Sequence, residues 1–142
     1  MSPVSCEIVS KGKGLECLSK ALEELEGSRA RVGIPGKNGA RGGGAGNAMR
    51  GAEREFGSIT RGIPERSFLR APMMRDLVKK LERDGGAESM VKAIARGGGA
   101  GALEILGGAG AEVAREALRA SGDDDGLAGA VGFDVKLKGG VA

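Results

Sequence analysis

A chain of 142 residues has room for one domain, and its composition limits both its core and its chemistry. The chain has three Phe, no Trp and no Tyr, so its core must form from Leu, Val, Ile, Met and Ala. Its 28 Gly add no side chains to that core. We therefore expect a marginally stable subunit that association with further copies would stabilise. The absence of His removes the most frequent general base and metal ligand, and a net charge of +3 is too small to indicate a partner.

The amino-terminal part predicts a strand, a helix and a second strand. Residues 4–9 alternate apolar and polar side chains, and leucines at 15, 18, 22 and 25 form the stripe of an amphipathic helix that ends at Gly27. Residues 29–34 alternate again before a proline. Cys6 and Cys17 lack metal-binding spacing, so we expect reduced core thiols of a cytosolic product, with a disulfide-containing secreted fold as the less favoured alternative.

The middle of the chain predicts a loop and two helices. Residues 36–46 contain six Gly and two cations, which is typical of a mobile loop. A short helix is expected at residues 47–56, with Asn47 as its N-cap and Gly57 as its terminator. After a turn-rich connection, apolar residues repeat every four positions and predict a helix from about residue 67 to 83, with Pro72 in its first turn.

The carboxyl-terminal part predicts two further helices and the clearest strand. Helices are expected at 87–95 and 102–120, separated by glycines. Gly107, Gly108 and Gly110 either break the second helix or give it a small face that another backbone approaches closely. An acidic turn at 121–126 precedes a strongly alternating strand at 131–137. Together these elements predict an α+β domain over residues 1–142, with a small, mostly antiparallel sheet and helices on one face.

Charge is distributed unevenly along the chain. Residues 29–80, called the basic block here, contain 12 Lys and Arg against 4 Asp and Glu, a net of +8, whereas the remainder contains 10 against 15, a net of −5. Such a block indicates contact with nucleic acid or an acidic protein surface, and a plain solvated surface is the alternative. Neither a long apolar run nor a leader-like start is present, so we expect no membrane span and no signal peptide.

The glycine-rich segments and acidic residues do not form a recognised chemical motif. No GxxxxGK[ST] string occurs, and the GxGxxA spacing at Gly97, Gly99 and Ala102 follows a predicted helix, whereas a dinucleotide site requires a strand there. The three aspartates at 123–125 lack the ligand pattern of an EF-hand. Without His or a suitable Lys base, we expect no catalytic residues, no metal and no cofactor.

The most specific pattern lies at residues 52–72, AEREFGSITRGIPERSFLRAP. A helix ends in EFG at 55–57, a short turn follows, and IPERSFLR at 63–70 leads into the next helix. Together with VGI at 32–34, this strongly resembles the shared core of head–tail connector, neck and tail-completion proteins of tailed phages, over about residues 29–84. The string PLxDTGxLxxSI, which many of those proteins carry near their carboxyl end, is replaced here by DDDGLAGAVGFDVKLKGG, so no subfamily is singled out.

The resemblance implies a non-enzymatic structural protein of the virion, made in the host cytoplasm and located at the head–tail junction. It implies a closed homo-oligomeric ring, hexameric or alternatively dodecameric, that contacts portal, adaptor or stopper proteins and tail-terminator or tail-tube proteins, with DNA passing through non-specifically. The 36–46 loop would be a docking arm. The side chains expected at these interfaces are Arg41, Arg50, Phe56, Arg61, Arg66, Phe68 and Arg70.

The motif residues also have expected physical roles. Phe56 would anchor its helix in a shared core, Gly57 would allow a left-handed exit, and Pro64 would fix the chain before Phe68 inserts. For these residues a rigid corner that holds the fold is the favoured interpretation. For the arginines at 66 and 70 we favour pairing between subunits.

Two other functions are weighed against this one. A sequence-independent DNA-binding module predicts a monomer or dimer with steeply salt-dependent affinity, although the basic block has only Phe56 and Phe68 for base stacking and no known DNA-binding motif. A small enzyme predicts a polar pocket with perturbed titratable groups, and the lack of His argues against it.

Overall fold

The computed structural model describes residues 14–35, 46–122 and 126–138. These residues form five α-helices, a short 3-10 helix and a two-stranded antiparallel sheet, which confirms the predicted α+β class. The helices are α1 Gly14–Leu25, α2 Asn47–Phe56, α3 Arg70–Arg83, α4 Gly86–Ala95 and α5 Gly99–Ala120, and the strands are β1 Arg29–Gly33 and β2 Gly132–Lys136, with the 3-10 helix at Leu127–Ala130. The predicted strand at 4–9, the loop up to residue 45 and the aspartates at 123–125 lie outside the described residues.

Helix α5 is the centre of the fold and contacts α1, α3, α4 and both strands. It continues unbroken through its glycines, so the predicted break does not occur and the glycines form a small helix face. Side chains, and not another backbone, approach this face. A Cβ at position 107 would lie 2.4 Å from Cδ2 of Phe133, and one at 110 would lie 2.9 Å from Cγ2 of Val32. The small face of α5 therefore receives side chains of the sheet, and this packing offsets the roughly 1 kcal/mol that each glycine costs the helix.

The sheet joins two strands that are far apart in the chain. Arg29 pairs with Lys136 and Gly33 with Gly132, which places Val32 opposite Phe133 on the side that packs on α5. The cross-strand pair at the next position is charged: Nε of Arg31 donates to Oδ1 of Asp134 at 2.9 Å. Both residues of that pair are exposed, so the pair contributes little to stability.

The buried core lies between the carboxyl-terminal half of α5, the 3-10 helix and the residues that precede α3. As the composition required, it is built from aliphatic and small side chains around one aromatic ring, namely Phe68, Ala111, Ala114, Leu118, Leu127, Ala128 and Val131. Phe68 is the largest of these side chains and is 1% exposed. The corner at residues 55–70 is therefore attached directly to the core through this ring.

Some local predictions were wrong in detail. Gly46, and not Asn47, is the N-cap of α2, and Asn47 is the first helical residue. The third helix begins at Arg70 and not near residue 67, because the backbone N–H groups just before it bind the buried carboxylate of Glu55. Cys17 is a free thiol as expected, yet it is half-buried and not a core residue.

Helix α1 has the predicted extent, but its leucine stripe is not buried. Ala21 is the residue of α1 that is buried, whereas Leu15 and Leu22 are 53% and 54% exposed. The helix ends near Gly27, which has a φ of 77° as its predicted role as a terminator requires. No described helix is both long and apolar enough to cross a membrane.

Candidate interaction site

The corner is defined here as residues 55–70, and the buried carboxylate of Glu55 holds it together. Its Oε1 accepts hydrogen bonds from Oγ of Ser67 at 2.9 Å, from the backbone N–H of Arg70 at 3.1 Å and from Nε of Arg70 at 2.7 Å. Its Oε2 accepts from the backbone N–H groups of Phe68 at 2.9 Å and Leu69 at 3.0 Å. Glu55 therefore caps the amino terminus of α3 from the end of α2, and it joins EFG to IPERSFLR.

This environment keeps Glu55 ionised. Burial alone would raise its pKa, since the side chain is 3% exposed, but the hydrogen bonds from the backbone of Leu69 and from Arg70 lower the pKa to about 2. The negative charge lies at the carboxyl end of its own helix, where the helix dipole disfavours it, and at the amino end of α3, where the dipole favours it. A carboxylate with this pKa is a structural group and not a proton carrier near neutral pH.

Sequence reasoning did not select Glu55. The available signal was its position: an acidic residue in the last turn of a helix is unfavourable unless another group binds it. That group is the start of α3, and its approach is a long-range feature that the local pattern does not reveal.

Gly57 has the expected role in the corner. It has a φ of 75°, and its N–H donates to the carbonyl of Glu53 at 2.7 Å. A Cβ there would lie 2.9 Å from the backbone N of Glu65 and 3.1 Å from the carbonyl oxygen of Ile63. The chain beyond Gly57 thus returns against α2 so closely that a side chain at this position has no room.

The two phenylalanines of the motif have opposite environments. Phe68 lies in the core, which confirms its role in the rigid corner and makes its assignment as an interface residue wrong. Phe56 is 62% exposed, so it does not pack in the core formed by the described residues of its own subunit, and its expected role at an interface stays a prediction. The guanidinium carbon of Arg70 lies 4.6 Å from the centroid of the Phe56 ring, a cation–π contact at the surface.

The predicted interface arginines have different surroundings. Arg70 binds Glu55, and its Nη2 lies 3.3 Å from Oε1 of Glu65, so its carboxylate partners belong to its own chain. Nη1 of Arg61 lies 2.5 Å from Oε1 of Glu53. Arg50 is half-buried on α2, and Arg41 lies outside the described residues.

Among Arg61, Arg66 and Arg70 of the corner, Arg66 is the one without a carboxylate partner in the described part of the chain. Its backbone N–H donates to the carbonyl of Arg54 at 2.8 Å, which fixes the backbone against α2. Its side chain is exposed and forms no ion pair within the part of the chain that the structure describes. Arg66 therefore fits the expected contact with another subunit better than Arg70 does.

A second buried charge lies between α3 and α5, and sequence reasoning missed it as well. The Nζ atom of Lys80 lies 3.0 Å from Glu112, 3.3 Å from Glu116 and 3.2 Å from Asp84. The hydrogen bond to Glu112 is the main cause of a raised Lys80 pKa, against the opposing effect of burial. Three carboxylates therefore neutralise the charge of this one lysine of the basic block.

Helix α2 and the corner expose three large apolar side chains. Met49, Phe56 and Ile59 all project into solvent. Beside Phe56 lies a pocket of about 260 Å³, and its lining includes Ile34 and Ala52. An exposed aromatic ring beside a mostly apolar pocket is typical of a surface that contacts another protein.

The described residues contain no cluster of side chains suited to binding a metal ion. Among residues 14–35, 46–122 and 126–138, no group of three or more His, Cys, Asp or Glu side chains could hold a metal ion.

Comparisons with known proteins gave no match to a protein-family model, to a curated protein or to a solved structure.

Proposed function

We propose that the chain is a structural subunit of the ring that joins the head of a tailed phage to its tail, and that it acts in head–tail joining or tail completion without enzymatic activity. The observation that carries the proposal is the corner. The strings EFG and IPERSFLR, on which the resemblance rests, are bound to each other through Glu55. Their spacing therefore has a physical cause, since a carboxylate at 55 must reach the first N–H groups of the helix after residue 67.

The chemistry of the corner supports assembly over catalysis. Its central carboxylate is buried, ionised and fully occupied by five hydrogen bonds, so it is not available to a substrate. The side chains that the corner exposes include Phe56, Ile59 and Arg66. Aromatic and arginine side chains on a rigid support are the residue types that contribute most to protein–protein binding.

The proposed assembly is a closed homo-oligomeric ring, hexameric or alternatively dodecameric, with DNA passing through it. A ring requires head-to-tail contacts between copies, in which each subunit uses two different surfaces. The small core and the many glycines agree with a subunit that gains stability from its neighbours.

A gene-interruption experiment tests this function. A stop codon early in the coding sequence should yield DNA-filled heads and separate tails, and supplying the wild-type chain in trans should restore joined particles. Intact tailed particles that lack the polypeptide would contradict the proposal.

A substitution at the corner gives a finer test. Phe56→Ser should reduce joined particles while changing the free energy of unfolding by less than about 1 kcal/mol, because the ring is mostly exposed. Val91→Ser is the matched control, since Val91 is equally exposed on α4, away from the corner. Equal joining by both variants would remove Phe56 from the interface.

The DNA-binding alternative predicts different results in solution. Several cations of the basic block already bind carboxylates of the same chain, including Arg31, Arg61, Arg70 and Lys80. This pairing lowers the number of phosphates that the block could neutralise. A monomer whose affinity for DNA falls steeply with salt would favour that alternative over the ring.

A further inference from the structure

An open apolar groove lies between β1, α3 and α5, and it is called the α3 groove here. Its walls are formed by Val32, Leu69, Met73, Met74, Leu77 and Leu106, and its floor is formed by glycines of α5. The volume is about 500 Å³. Met74 at the rim is 90% exposed, and no residue of α1 lines the groove within the described part of the chain.

A second apolar surface, the α1 stripe, consists of Leu15, Leu18 and Leu22. Spacings of three and four residues place these side chains on one face of α1, and all three are exposed. A neighbouring side of the helix is fixed, because Ala21 is buried and a Cβ at Gly99 of α5 would lie 2.9 Å from the Ala21 carbonyl oxygen. Helix α1 is therefore held against α4 and α5 and cannot turn its leucines into the groove of its own subunit.

The charges beside these two surfaces are complementary. Helix α1 carries three acidic residues and one lysine, a net of −2. Helix α3, which forms one wall of the groove, carries five cations and two acidic residues. Because Arg70 and Lys80 already bind carboxylates outside the helix, the other charged residues of α3 leave a net of +1. Opposite net charges favour the approach of α1 to α3 and disfavour a contact between two copies of the same helix.

We propose that the α1 stripe of one copy occupies the α3 groove of the next. This inference rests on the proposed function, because the function requires that copies of the chain contact each other and so makes a second copy the occupant of the groove. Each subunit then offers a stripe on one side and a groove on the other, which is the head-to-tail type of contact that a ring requires. Residues Leu15 and Leu22 would enter between Met73, Met74 and Leu106, with the acidic flank of α1 beside the cations of α3.

Two variants with a matched control test the contact. The stripe variant is Leu15→Glu with Leu22→Glu, the groove variant is Met74→Glu, and the control is Val91→Glu on α4; all four positions are more than half exposed. Size-exclusion chromatography with light scattering should show assembly by the wild type and the control. In the stripe and groove variants the dissociation constant should rise about 30-fold or more, as for a buried apolar hot spot. Circular dichroism should show the same helix content in all proteins.

Mixing the two variants tests the head-to-tail geometry. The stripe variant has an intact groove and the groove variant has an intact stripe, so an equimolar mixture should form 1:1 dimers and nothing larger. The proposal is overturned by a wild type that stays monomeric at its highest soluble concentration, or by a mixture that forms no dimer. It is also overturned if Met74→Glu lowers stability without changing assembly, which would mean that residues 1–13 of the same chain cover the groove.

The outcomes separate this contact from the proposed function. Dimers in the mixture, together with virions that lack the polypeptide at the head–tail junction, would support the contact and refute the function. Polypeptide at the junction without dimers in the mixture would support the function and refute the contact.

Discussion

The substitution Glu55→Gln isolates the charge of the buried carboxylate while keeping its size. Each carboxylate oxygen accepts at least two hydrogen bonds, three at Oε1 and two at Oε2. The amide NH₂ of glutamine must replace one of these oxygens. A donor then faces donors, so two or three N–H or O–H groups at the start of α3 lose their acceptor.

The pKa of Glu55 gives the size of the effect. The pKa falls from 4.5 to about 2 in the folded chain. At about 1.4 kcal/mol for each tenfold change in proton affinity, ionised Glu55 contributes about 3 kcal/mol to the free energy of unfolding. Because the folded pKa is the lower one, this contribution is present above pH 4.5 and is lost as the pH falls towards 2. About half of it should remain at pH 3.

Urea denaturation of the wild type and two variants at pH 7 and pH 3 measures this contribution. Glu55→Gln should lower the free energy of unfolding by about 3 kcal/mol at pH 7, and the difference from the wild type should shrink by about half at pH 3. Glu65→Gln is the control, because Glu65 also binds Arg70 but is exposed, and it should change stability by less than about 1 kcal/mol. A Glu55→Gln protein as stable as the Glu65→Gln protein, or a deficit equal at both pH values, would refute this account of the corner.

Two pairs of glycine substitutions test the backbone of the corner and the packing of α5 by the same denaturation assay. Gly57→Ala should cost about 3 kcal/mol, since it combines a positive φ with a backbone contact of 2.9 Å, whereas Gly62→Ala has a similar φ in open space and should cost about 1–2 kcal/mol. Equal costs would argue against the close return of the chain at Gly57. Gly107→Ala should cost about 1–3 kcal/mol because its Cβ would overlap the ring of Phe133, whereas Gly108→Ala meets an ordinary contact of 3.8 Å and should stabilise the helix by up to about 1 kcal/mol. A gain in both alanine variants would show that the ring does not pack on position 107.

Elements with strong local signals were predicted well from the sequence. The end of α2 at Phe56 follows from Gly57, which ends the helix for steric reasons that act within a few residues. Both strands were predicted from alternation, and β2 has the most regular pattern in the chain. Their mutual pairing was not predicted, because alternation indicates which side chains share a face and gives no information on the partner strand.

The burial of individual motif residues was harder to predict. Phe56 and Phe68 are equally apolar, and both belong to the segment that resembles phage connector proteins. Their burial differs because the chain reverses at Gly57, so that Phe68 points into the core and Phe56 points outward. Glu55 was missed for a related reason, since its partners become visible only when the start of α3 is placed beside the end of α2.

The stripe of α1 illustrates what a periodic pattern measures. Apolar residues at helical spacing indicate that one face of the helix is covered, and they carry no information on which chain covers it. Within the described subunit, α1 is covered on the side of Ala21 and Leu25, and the other three leucines of the pattern, Leu15, Leu18 and Leu22, are exposed. The α3 groove has the opposite property, because it is an apolar concave surface that no side chain among the described residues fills. The small core, the outward-facing leucines and the open groove are the observations that support our proposal that the stable form of this protein contains more than one copy of the chain.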